Sequence, residues 1–360
     1  NSPQPYPIPD LEARRPSACS AIRYRDPPEE GKESLLDLRT QPSSSQSEAG
    51  VRTAIGIGEV AQGKQVAYFG DQSANMYAVD AQSGTLLWKV KVDEHPRAGI
   101  TAAPALHANR LYVPVASREE SQVDDLVYPC CTFRGSMLAL DASNGDILWR
   151  TYTISEEADS VGENSIGTQM WGPSGSPIWN TPAVDLTRRL LYSGTGNNYS
   201  VPATHTSDAV VAFDMDSGRI RWINQVKADD VWNRSCGRPE IRNIYTCPDT
   251  SAPDVDFAAS PILAELQDGR QIIIAANKAR IYALDPDREG EIIWQTGIGE
   301  NPNGGGVMWG AAVDGEVMYA ANQRFNAENP DSGGGVHALE IRGGNTIWSV
   351  PAPSCEDRTP

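Results

Sequence analysis

The chain has 360 residues and a formal net charge of −17, with 30 Lys and Arg against 47 Asp and Glu. That acidity excludes a nucleic-acid surface, which needs clustered basic side chains, and no apolar run approaches the roughly 18 residues of a membrane span. Thirty-two Gly and 26 Pro describe a chain rich in turns, and no Gly-rich phosphate loop of the Walker type is present.

Residues 1–50 mix Pro, Ser and charges with little periodicity and read as an irregular arm or linker. From Val51 onward one β-structure phrase recurs. It reads AVDAQSGTLLW to Trp88, ALDASNGDILW to Trp149, AFDMDSGRIRW to Trp222, ALDPDREGEIIW to Trp294 and ALEIRGGNTIW to Trp348. Apolar residues alternate with polar ones on both sides of an acidic, Gly-containing turn, the pattern of two antiparallel strands. A further β-rich stretch precedes each phrase: VAYFGD, RLYVPVAS, RLLYSGTGN, QIIIAAN and EVMYAAN. With an opening strand such as ITAAPAL, each unit has four strands. The tryptophans stand 61, 73, 72 and 54 residues apart, so the hairpin is constant and the loops between units vary.

Such a repeat predicts an all-β fold, a β-propeller of four-stranded antiparallel blades closed by Trp, with about five blades visible. Each repeat Trp is expected to wedge between neighbouring blades, with function carried in the insertions. The propeller is expected over residues 51–355, followed by a tail at 356–360. Five blades can close a ring, but the long insertions and a Cys355 with no evident partner point to part of a propeller.

Six cysteines imply an oxidising compartment, and hence a periplasmic or secreted protein. Cys236 and Cys247 are spaced for a disulfide. Adjacent Cys130 and Cys131 either close a ring on each other or remain buried thiols, and Cys19 has no evident partner. No leader is visible at Asn1, as expected of a processed secreted chain. Neither a CxxC zinc pair nor a CxxCH haem motif is present.

The phrases VRTAIGIG, VAYFGD, LLWKVKVDEHP, YPCCTFRGS, GTQMWGPSG, GTGNNYS and TSDAVVAFD, in order across the chain, resemble the pyrroloquinoline quinone (PQQ) dependent alcohol dehydrogenases. The likeness is strongest to the branch that acts on polyvinyl alcohol. It implies an eight-bladed parent fold, PQQ and Ca2+ as cofactors, an alcohol or polymeric alcohol as substrate, and a cytochrome c as electron acceptor. Oxidation would run by removal of the hydroxyl proton and hydride transfer from the carbinol carbon to a cation-polarised quinone.

The family's spacings carry over residue by residue. Trp179, eighteen residues before Asn197, matches a Trp that stacks on the quinone ring, and Thr101 matches a cofactor-binding Thr. Glu119, eighteen residues after Thr101, matches a metal ligand, with Glu120 as the neighbour able to take over, and Asn197 matches a second ligand. Where relatives carry a WD pair this chain has Trp232 and Asn233, so the base moves to Asp256 of DVDFAASPIL, with Asp254 beside it; Asp256 also counts as a metal ligand. Lys278 matches a cation beside the reacting carbonyl, and Lys64 takes the place of an Arg that pairs with a cofactor carboxylate. Ala116 and Ser117 approach the cofactor through their backbone, and Trp309, after Met308, closes the opposite side. The vicinal Cys pair that roofs the quinone in relatives is replaced by Ala54 and Ile55. A competing reading is a propeller that has lost its cofactor and serves as a binding or assembly subunit.

Overall fold

A computed structural model describes residues 50–60, 63–238, 240–248, 254–298, 306–308, 310–322 and 334–352. Most of the arm expected over 1–50 and the tail at 356–360 lie outside the described residues, as do Cys19, Trp309 and Cys355.

Among the described residues the chain forms five antiparallel blades in sequence order. The first is built from Gly56–Val60, Lys64–Gly70, Asn75–Asp80 and Leu86–Lys91. In the second the outer strand is broken into Ala98–Gly99 and Ala105–His107, both paired with Arg110–Ser117, before Ser136–Asp141 and Ile147–Tyr152. The third comprises Ala183–Asp185, Leu190–Gly194, Ala209–Asp214 and Ile220–Gln225. The fourth comprises Ile262–Glu265, Gln271–Ala276, Arg280–Asp285 and Glu291–Gly297, and the fifth Ala311–Asp314, Val317–Asn322, Gly335–Glu340 and Thr346–Pro351. The insertion between the second and third blades carries its own hairpin, Asp159–Glu163 with Gln169–Gly172.

The middle strands are buried because they pack against blades on both faces, and this is why Leu190–Gly194 and Ala209–Asp214 read as nearly continuous apolar runs. The last strand of each blade faces water on one side, so Leu86–Lys91 alternates instead.

The repeated phrase is a docking device between blades. Trp88 lies over Gly145, Trp149 over Gly218, Trp222 over Gly290 and Trp294 over Gly344, each glycine belonging to the next blade's turn. All four glycines have positive φ, between +73° and +81°, and a Cβ on any of them would collide with the ring above it. Gly is required there twice over, for conformation and for contact. Trp88, Trp149 and Trp294 also donate their indole N–H across the interface, to the carbonyls of Ala142 (3.0 Å), Met215 (3.2 Å) and Ile341 (2.9 Å). The Trp222 indole nitrogen is buried without a partner. Trp348 is 43% exposed, with Ile347 and Val350 exposed beside it. The acidic residue of the phrase shapes its own turn: Asp80 Oδ1 accepts from the backbone N–H groups of Gln82 (3.0 Å) and Ser83 (2.8 Å), and Asp214 does the same for Asp216 and Ser217.

Cys130 and Cys131 are bonded to each other, and Cys236 to Cys247. No helix among the described residues is long and apolar enough to cross a membrane.

Candidate functional site

In an antiparallel blade the start of the first strand lies beside the end of the second. Residues from those two places in successive blades therefore collect on one rim, where they enclose a cavity of about 730 Å³, a size that suits a small-molecule ligand. Arg52 and Ala54 enter ahead of the first blade. Thr101, Ala116, Ser117, Arg118 and Glu120 come from the second, Trp179, Asn197 and Tyr199 from the third, Trp232 and Arg234 from the loop that follows, and Asp254, Asp256 and Lys278 from the fourth. Met308 also lines the cavity.

The segment carrying the two aspartates is pinned by backbone bonds, Phe257 N–H to the Thr195 carbonyl (3.1 Å) and Lys278 N–H to the Asp256 carbonyl (3.3 Å). The Gly-Thr-Gly-Asn turn makes the approach possible. A Cβ at Gly194 would collide with Phe257, and one at Gly196 would stand 3.1 Å from the Asp256 carboxylate. Asn180, buried, ties the same parts together by donating to the carbonyls of Gly194 (2.8 Å) and Phe257 (3.0 Å).

At the centre the Trp179 indole N–H donates to Asp256 Oδ2 (2.9 Å). Lys278 Nζ sits between two carboxylates, 2.5 Å from Asp256 Oδ1 and 2.6 Å from Asp254 Oδ1. The same ammonium stands 5.6 Å from the Trp179 ring centroid and 6.0 Å from that of Trp232. Burial opposes the Lys278 charge, but Asp256 and Asp254 more than offset it, and the Lys278 pKa is raised. Burial, then the charge of Asp256, raises Asp254 well above the usual carboxylate range. Burial pushes Glu120, also in the cavity lining, up to about 7, with Asp256 adding to the rise. Glu120 Oε2 and Thr101 Oγ1 are both buried without hydrogen-bond partners. Two unsatisfied oxygens beside a cavity are costly in an empty protein and are donors for a bound ligand or cation.

Two of the expected site residues stand away from the cavity wall. Lys64 lies outside the cavity: it opens the strand Lys64–Gly70, whose Gly70 end faces the cavity rim, and it pairs with Asp80 at 3.1 Å on the opposite edge. The strand's seven residues separate the two rims by roughly 20 Å. Arg52 and Arg118 supply the rim's positive charge instead. Glu119 is also absent from the cavity wall. The strand Arg110–Ser117 gives way there to a turn of 3-10 helix, which directs Glu119 inward and Glu120 to the cavity. The buried Glu119 carboxylate accepts from Thr132 N–H (2.9 Å), Phe133 N–H (2.8 Å) and Tyr128 O–H (3.0 Å), and so secures the segment after the vicinal cysteines.

Asn233 is a structural knot. Its Nδ2 donates to the carbonyls of Tyr199 (2.9 Å) and Thr246 (2.7 Å), and its Oδ1 accepts from Ser235 N–H (2.9 Å), which fastens the loop closed by Cys236–Cys247. Thr101, Ala116, Ser117, Trp179, Asn197, Asp256 and Lys278 all line the one cavity. Tyr199, Arg52, Arg118 and Arg234 were not anticipated there. Arg234 begins the 3-10 helix Arg234–Gly237 in the long loop after the third blade, which the repeat does not describe.

Calcium takes six to eight oxygens. Among the described residues no three Asp, Glu, His or Cys side chains form a ready-made cage. Glu120 and Asn197 nevertheless both offer side-chain oxygens to the one cavity, which fits a cation whose remaining ligands come from a bound cofactor. Three arginines and the Trp179 and Trp232 faces fit a flat, polyanionic quinone.

Among known proteins the chain is similar to polyvinylalcohol dehydrogenase of Pseudomonas sp, 39% identical over 318 residues, which covers 87% of this chain and 48% of that protein. Polyvinylalcohol dehydrogenase of Sphingopyxis sp. (strain 113P3) is 36% identical over the same shares. The chain thus spans about half the length of the curated relatives it matches. A solved europium-containing methanol dehydrogenase shares the fold, with a TM-score of 0.58 at 18% identity over 83% of this chain and 62% of that one. The family model described as "PQQ: Glucose/ethanol/alcohol dehydrogenase, beta-propeller domain" matches residues 59–239, half of the chain, and the chain belongs to that family.

Proposed function

We propose that this chain carries the cofactor cavity of a quinoprotein alcohol dehydrogenase that oxidises the hydroxyl groups of a small or polymeric secondary alcohol. The observation that carries the reading is the convergence of Glu120, Asn197, Asp254, Asp256 and Lys278 with two tryptophan faces on one cavity. A propeller used only as an assembly scaffold has no need of so many buried ionisable groups, each of which costs stability.

When bound, PQQ supplies the two-electron acceptor and calcium the Lewis acid. Arg52, Arg118 and Arg234 would meet the cofactor's carboxylates, Trp179 its ring, and Glu120 and Asn197 the cation, with Ala116 and Ser117 along the ring edge. Asp256 is the base. Its Oδ2 is oriented by the Trp179 N–H, and Lys278 steadies its charge before the alcohol proton arrives. Asp254, with raised proton affinity and the same lysine, is placed to hold that proton after transfer. Polyvinyl alcohol is the substrate that the two curated relatives' names favour. A periplasmic or extracellular site and a cytochrome c acceptor complete the reading.

The test is direct. Protein incubated with PQQ and calcium should acquire quinone absorbance and reduce a dye with a secondary alcohol as donor, and Asp256→Asn should retain the absorbance while losing the rate. Absence of quinone uptake by the full-length protein overturns the proposal.

A further inference from the structure

Asn197 lines the cavity, yet its amide group is engaged from behind by residues outside it. Nδ2 donates to Asp230 Oδ2 at 2.9 Å and reaches Asp208 Oδ1 at 3.4 Å. Both aspartates are buried, at 1% and 0% exposure, and neither touches the cavity. Asp230 is held in turn by an ion pair from Lys227 to its other oxygen. Asp208 is tied by its backbone N–H to the carbonyl of Gly196, and its own carbonyl accepts from Val226 N–H (3.0 Å). It keeps this place with φ at +47°, a conformation that a non-Gly residue adopts at a cost.

A side-chain amide is a donor at one end and an acceptor at the other. The Asp230 carboxylate, ion-paired with Lys227, admits only the donor at that end, because an amide oxygen there would meet its repulsion, and Asp208 stands behind the same nitrogen. We propose that Asp208 and Asp230 are positioning residues that lock the Asn197 amide in one orientation, so that Oδ1 is presented to the cavity as a fixed oxygen donor for a cation. The proposal rests on the cation reading given above. Lys227 belongs to the device: by claiming Asp230 Oδ1 it leaves Oδ2 for Asn197.

Asp230→Asn tests it. The new amide has one oxygen, which Lys227 claims, so its nitrogen faces Asn197 and turns that amide over. Calcium affinity of the quinone-free protein, measured by calorimetry, should fall roughly 10–100-fold, the usual effect of losing a residue that orients a ligand. In protein labelled with nitrogen-15 asparagine, the Asn197 side-chain amide signals, assigned by their loss in Asn197→Asp, should leave their hydrogen-bonded position. In the double variant Lys227→Met/Asp230→Asn the amide at 230 is free to turn its oxygen toward Asn197, and the wild-type signals should return.

The proposal is overturned if Asp230→Asn weakens calcium binding without moving those signals, since charge alone would then be at work. It is overturned equally if the wild-type Asn197 amide protons exchange as fast as exposed ones, a measurement that needs no variant to fold. A wild type that takes up no calcium, with or without PQQ, overturns the cation reading beneath the proposal, while the amide signals still report on orientation.

Discussion

Glu120→Gln in the cofactor-free protein probes the cavity's electrostatics through stability. Burial pushes the Glu120 carboxyl from 4.5 in the unfolded chain to about 7 in the fold. Below pH 4.5 both states hold the proton and the group contributes nothing to the pH dependence. Between 4.5 and about 7 the unfolded chain releases its proton while the fold retains it, so stability falls as pH rises, and above about 7 the penalty is complete. At about 1.4 kcal/mol per pH unit the penalty is about 3 kcal/mol. Gln keeps the shape and cannot ionise. Denaturant unfolding of the two proteins should therefore show the variant gaining about 3 kcal/mol on the wild type between acid and mildly alkaline pH. Calcium should close that gap by stabilising only the wild type. Parallel stability curves across this range would refute the argument that Glu120 is a desolvated, unpaired carboxylate.

Trp179→Phe removes the N–H that orients Asp256 while keeping an aromatic face, and should lower dye-linked turnover by roughly ten- to a hundredfold, as expected for a hydrogen bond to a charged group. Retention of the full rate would count against Asp256 as the base. Gly218→Ala, at φ +73° beneath the Trp149 ring, should destabilise the protein by about 2 kcal/mol or more in thermal unfolding, whereas Gly269→Ala, with open space around it, should cost only its backbone strain. Glu119→Gln should lower stability by about 2 kcal/mol through its charge-assisted bonds to Thr132 and Phe133, yet leave calcium affinity far nearer wild type than Glu120→Gln does. PQQ titration should find Arg52→Ala weakened and Lys64→Ala unchanged, in contrast to the role that the family resemblance implies for Lys64.

Where the reading by sequence succeeded, it rested on local periodicity. Alternation around Asp-x-x-x-Gly is a property of a dozen neighbouring residues, so the five blades and their order were legible from the chain. The wedge role of Trp88, Trp149, Trp222 and Trp294 was legible too, although the turn glycine of the next blade as their partner was not. The family resemblance, not the repeat, pointed to Thr101, Trp179, Asn197 and Lys278, and all four line one cavity. It did not foresee the 3-10 helix Glu119–Asp124, which turns Glu119 inward and leaves Glu120 on the cavity wall.

The sequence by itself determined the class of fold, the count of visible blades and the identity of the packing tryptophans, since each follows from the repeated hairpin phrase. Only the tertiary structure decided which charges meet. Lys64 and Arg52 lie in the same blade region of the chain, but antiparallel pairing sends one to each rim. Asp208 and Asp230 stand 11 and 33 residues from Asn197, and nothing in that separation marks them as its partners until the blade folds. Charge interactions depend on distance in space and on exclusion of water, and neither is encoded in the order of residues.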